Sequence, residues 1–186
     1  KSATITKRYT FYPERYRVEM DLAIKNNTLK TIELKYHLIA GSGLDEREMQ
    51  DKRFVEATAK IGEKIIGFKN PKDGKITNYC PVAWAALKNK YFCLILKPLM
   101  PSNSQFYWMN KEKKLVVGID PPLLNIQPGE VAVQKFILYI GPSQISFLKD
   151  CEPGLEETIN YGFFGIISIS LIALLKFFYN IFHRSE

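Results

Sequence analysis

A chain of 186 residues with 46% hydrophobic and 24% charged side chains has the makeup of a folded globular protein. That balance excludes a disordered or collagen-like chain, and three cysteines are too few for a disulfide-built scaffold. The net charge of +7 is uneven: residues 151–186 sum to −2 and the first 150 to +9, spread singly without a run of five. Such scatter argues against nucleic acid as a partner and suits a solvated surface, or one beside anionic head groups.

The first clear pattern lies at residues 17–25, where Val18, Met20, Leu22 and Ile24 alternate with Arg17, Glu19, Asp21 and Lys25. Residues 31–37 repeat it, with Ile32, Leu34 and Tyr36 against Thr31, Glu33, Lys35 and His37. A period of two is the mark of strands with one buried and one wet face. Asn26-Asn27-Thr28 between them has turn chemistry, so the two strands are expected to pair as an antiparallel hairpin. Gly41-Ser42-Gly43 breaks the pattern, and the charged residues 45–53 read as an excursion or short helix.

Short apolar runs follow at 64–68, 91–96, 106–109, 115–119 and 131–140. Asn70-Pro71-Lys72-Asp73-Gly74, the stretch 98–103, Asp120-Pro121-Pro122 and Gln127-Pro128-Gly129 separate them as turns. Many short strands between turns predict a mostly β chain folded as a sandwich or barrel. Residues 81–87, holding Trp84 and three alanines, read as one short helical insertion. No repeat of 20–50 residues is visible, which argues against a propeller or solenoid.

Composition changes after Gly141-Pro142. Glu152-Pro153-Gly154 reads as a boundary, dividing a β domain (1–150) from a linker and helix (151–186). Residues 163–182 hold one charge, Lys176, among many aromatic and aliphatic side chains. A helix over 155–183 would be about 43 Å long at about 1.5 Å per residue. Its later half is sided, with Leu171, Leu174, Leu175, Phe178 and Phe182 opposite Lys176, Asn180 and Arg184. The wholly apolar stretch is shorter than the ~20 residues a spanning helix needs. A helix lying in the membrane interface is therefore favoured over a short span or a buried core helix.

Catalytic signatures are missing. His37 and His183 stand without HExxH, paired CxxC or a carboxylate–histidine cluster in sequence, so no metal site is expected. No GxSxG elbow accompanies them, and Gly41-Ser42-Gly43 lacks the ending of a phosphate loop. Cys80, Cys93 and Cys151 allow one disulfide at most, and the sequence leaves open whether Cys80 and Cys93 pair. Phe106-Tyr107-Trp108 suits a ligand groove or, more commonly, strand packing. No catalysis and no cofactor is expected.

Ile137-Leu138-Tyr139-Ile140-Gly141-Pro142, then Leu155-Glu156-Glu157-Thr158-Ile159-Asn160-Tyr161-Gly162-Phe163, then Leu174-Leu175-Lys176-Phe177-Phe178 with Ile181-Phe182-His183, resembles the YidC-type membrane protein insertase family. Tyr139, Gly141 and Pro142 match its Y-x-G-P strand, and Tyr161 and Gly162 its following Y-G motif. Upstream, Ile5-Thr6-Lys7-Arg8-Tyr9-Thr10-Phe11 with Tyr16 and Asn26 resembles a strand pair of that domain. Trp84, Tyr91 and Phe92 fall in a segment similar to its W-x-[AG]-x-x-x-[NQ]-x-Y-F pattern, and Pro128-Gly129-Glu130 precedes the last strand as in the family. These matches run through nearly the whole chain in order.

The resemblance implies an antiparallel β-supersandwich of galactose-mutarotase-like form on the periplasmic side of the bacterial inner membrane. The sandwich is expected to be incomplete here, its first strands and the family's membrane groove lying outside residues 1–186. Phe163, Phe164, Ile167, Leu171, Leu174, Leu175, Lys176, Phe178 and Phe182 would touch lipid. Implied partners are membrane lipid, nascent membrane proteins and Sec translocon subunits, with insertion requiring no nucleotide hydrolysis. A membrane-attached β-sandwich module that binds carbohydrate or another ligand is the alternative.

Overall fold

The computed structural model describes residues 2–44, 55–69, 75–76, 81–100, 103–111, 114–159 and residue 174. Its strands, in chain order, are β1 (Ala3–Tyr12), β2 (Arg17–Asn26), β3 (Ile32–Leu34), β4 (Leu38–Ser42), β5 (Glu56–Ile61), β6 (Lys64–Lys69), β7 (Lys75–Ile76), β8 (Val82–Lys88), β9 (Phe92–Pro98), β10 (Gln105–Lys111), β11 (Lys114–Asp120), β12 (Leu124–Ile126) and β13 (Val131–Pro142). One helix, α1 (Ile145–Cys151), and two 3-10 turns, Pro13–Arg15 and Leu155–Thr158, accompany them. Among these residues no helix is long and apolar enough to cross a membrane.

The strands form a seven-stranded sheet in the order β1-β2-β13-β9-β8-β5-β6, a four-stranded sheet β4-β11-β10-β7 and a two-stranded sheet β12-β3. All pairings are antiparallel. Sandwich architecture follows from the period-two pattern: an amphipathic sheet must bury one face against another layer. On β2 the rule is visible residue by residue, with Val18, Met20, Leu22 and Ile24 buried and Lys25 exposed. Met20, Leu22 and Ile24 meet Phe106, Trp108, Val117 and Ile119 of the smaller sheet in one apolar core. Ile32, Leu34 and Tyr36 pack on its margin, while Glu33 and Lys35 are exposed. Gly118 marks a bulge in β11, where a Cβ would lie 2.2 Å from the Leu38 carbonyl oxygen.

Three expectations are corrected. The strands at 17–25 and 31–37 do not pair: β2 lies between β1 and β13, and β3 pairs with β12. Asn26 causes the separation. Its buried amide donates to the Lys30 and Ile126 carbonyls, and its Oδ1 accepts from the Thr28 N–H and hydroxyl. The turn so formed carries the chain away from the seven-stranded sheet toward β12. The helical insertion at 81–87 is instead strand β8. Ala85, Ala86 and Leu87 are fully buried between layers on both faces, and burial there overrides alanine's helix preference. Last, the chain from Leu155 begins as a single 3-10 turn, and Ile159 after it is extended, so no α-helix runs through these residues. Residues 45–53 and Cys80 lie outside the described residues.

Candidate functional site

The face of the seven-stranded sheet turned away from the core carries a second cluster. Pairing puts Trp84 and Ala86 of β8, Cys93 and Ile95 of β9, and Ile137 and Tyr139 of β13 on this outer face. Leu148 and Cys151 of α1 and Leu155 of the turn after it cover them, all nine residues being at most 2% exposed. The chain thus leaves β13, crosses the outer face as α1 and returns as the 3-10 turn, forming a strap over the sheet.

Cations on the sheet hold the strap at its edges. Arg17 donates to the Cys151 carbonyl at 2.8 Å and pairs with Glu152 at 2.9 Å, while Glu19 holds its other nitrogen at 2.8 Å. Lys97 reaches the second oxygen of Glu152 at 2.7 Å. Farther along, Lys60 pairs with Glu157 at 2.7 Å and Lys88 donates to the Thr158 carbonyl at 2.5 Å. Burial pushes the Glu152 carboxyl upward, but the hydrogen bonds and charges of Lys97 and Arg17 outweigh it and hold the group below the usual carboxylate range. Burial likewise lowers Arg17, and its bonds to Glu19 and Glu152 more than compensate. Charge-assisted bonds of this kind are the stronger class.

The start of the strap depends on a close approach. Tyr16 sits in the left-handed region at φ 51°, which ends the 3-10 turn Pro13–Arg15 and tips its ring toward α1. That ring packs edge-on to Phe147 at 5.1 Å and to Tyr139 at 6.3 Å. A Cβ on Gly141 would lie 2.7 Å from Tyr16 Cγ and 3.0 Å from Tyr139 Cζ. The Tyr139 hydroxyl donates to the Pro142 carbonyl at 2.6 Å. Burial pushes the Tyr139 phenol up, together with the Cys93 thiol to about 12 and the Cys151 thiol to about 11. These are inert thiols under neutral conditions.

The sequence-singled residues thus divide. Trp84, Tyr139, Gly141 and Pro142 meet at the strap and its origin. Tyr91 and Phe92 stand at the β8–β9 hairpin, 57% and 56% exposed. Leu174 is helical and 49% exposed. Tyr161, Gly162, Phe163, Phe164, Ile167, Leu171, Leu175, Lys176, Phe178 and Phe182 lie outside the described residues. The clamping cations escaped sequence reasoning because Arg17 and Glu152 are 135 positions apart.

Two other places hold polar or concave features. His37 Nδ1 lies 2.6 Å from Asp120 Oδ1, a carboxylate–histidine pair absent from the sequence reading because 83 residues separate its members. The ring stacks on Tyr107 at 4.8 Å. Among the described residues no three His, Cys, Asp or Glu side chains converge as a metal site would require. Phe106, Tyr107 and Trp108 are buried core residues. A shallow depression of about 240 Å³ lies at the opposite end of the sandwich, bordered by Pro98, Met100, Leu124, Gln134 and Phe136. It is smaller than the usual ~300–1,000 Å³ ligand pocket.

The profile of the YidC periplasmic domain matches residues 1–174. A membrane protein insertase YidC of Geotalea uraniireducens is 29% identical over 190 residues, covering 96% of this chain and 34% of that protein. One from Blochmanniella floridana is 28% identical over 185 residues, covering 92% and 33%. The chain spans about a third of the length of these relatives. In structure it is similar to a GH36 alpha-galactosidase of Geobacillus stearothermophilus, with TM-score 0.57, 10% identity and coverage of 80% of this chain and 23% of that one. The alpha-galactosidase of Lactobacillus brevis gives TM-score 0.56 at 7% identity, covering 79% and 22%. At such identities these likenesses concern the fold alone: an antiparallel supersandwich of galactose-mutarotase-like form. A family profile matched along almost all its length, by a strand order of that form, makes this chain a member of the YidC periplasmic domain family.

Proposed function

We propose that this chain serves a membrane protein insertase as its domain on the periplasmic side of the bacterial inner membrane. On this reading residues 1–150 are the β domain and 151–186 the linker and interface helix, with the 3-10 turn of the strap falling in the linker. The observation that carries it is the strap itself. It fixes residues 151–158 to the sheet, immediately before the apolar stretch of the sequence. Phe163, Phe164, Ile167, Leu171, Leu174, Leu175, Lys176, Phe178 and Phe182 would then lie along the membrane surface, with Lys176 reaching the head groups.

In this role the domain positions and does not catalyse. Its partners are membrane lipid and nascent membrane proteins, with Sec translocon subunits as companions, and it needs no cofactor. The test is insertion by the full-length protein in lipid vesicles without nucleotide. A newly made client should gain a protease-protected membrane fragment, and this should weaken when Arg17, Lys97 and Lys60 are replaced by Met together. Failure of the full-length protein to insert any client, alongside saturable sugar binding at the depression near Gln134, would favour the ligand-binding alternative. Steady sugar turnover abolished by His37→Ala would overturn the non-catalytic reading.

Depth measurement tests the tail separately. Polarity-sensitive dyes at Phe164, Leu171 and Phe178 should report similar shallow depths in vesicles. A steady progression through the bilayer centre would mean that the helix spans.

A further inference from the structure

We draw no further inference here: the strongest candidate, the apolar depression of about 240 Å³ bordered by Pro98, Leu124 and Phe136 where β13 runs beyond the end of β9, carries nothing because nothing in the structure shows what covers it.

Discussion

The two faces of the seven-stranded sheet are covered in different ways. The inner face meets another sheet, and Met20, Leu22, Phe106, Val117 and Ile119 interlock without a charged group among them. The outer face is covered by a short helix and one turn, apolar at the centre but held at the perimeter by Arg17, Lys97, Lys60 and Lys88. Apolar interlocking is non-directional and survives salt, while perimeter ion pairs are screened and depend on pH. One cover is therefore inseparable from the fold. The other joins an apolar centre to a charged rim.

The largest effect should come from the inner face. Leu22→Ala, at a site 3% exposed, should cost about 2–5 kcal/mol in denaturant unfolding. A cost under ~1 kcal/mol would show that the layers are not interlocked there and erase the contrast. Next comes the origin of the strap. Gly141→Ala forces a methyl against Tyr16 and should cost about 1–3 kcal/mol. Its signature is faster hydrogen exchange across residues 145–158 with the strand amides of β2 and β13 unchanged. Equal acceleration in the strands would make the strap part of one cooperative unit.

Glu152 sharpens the comparison through pH. Its folded pKa is lowered, so its contribution is present above the unfolded carboxylate value of about 4.3 and is lost as pH falls through the folded value. Glu152→Gln should cost about 1–2 kcal/mol at neutral pH and flatten the acid limb of the stability curve. An acid limb identical to that of the unchanged chain would remove Glu152 from the clamp. The smallest effect belongs to Lys60→Met, whose partner Glu157 has a side chain 40% exposed. About 0.5 kcal/mol or less is expected at low salt, and none at 1 M salt.

Local periodicity made the β class and the register of β2 legible, since Val18 to Ile24 alternate and each odd-numbered neighbour is charged or small. Partner choice was not legible. Whether β2 meets β3 or β1 depends on the Asn26 amide reaching Ile126, a contact across 100 residues. Ala85 and Ala86 misled for a related reason, because only the two layers around β8 favour small side chains in an extended strand. At the strap, Trp84 and Tyr139 were visible as motif positions. Their common neighbourhood was not, because Leu148 and Leu155 come from a stretch whose Pro153-Gly154 reads as a break rather than as a bend within a packed cover.

The strap's path also decides how the molecule bears a load. It rises from Pro142 along α1, turns at Glu152 and descends to Thr158, so tension applied at residue 159 acts on the last contact first. Such a pull peels rather than shears. Lys88–Thr158 would yield, then Lys60–Glu157, then the Leu155 side chain, and the Arg17–Glu152–Lys97 junction last. Were the contacts to give way in that order, a few nanometres of chain would be released before the sheet felt strain. The strap would thus be the first part of the domain to give under a load drawn on its tail.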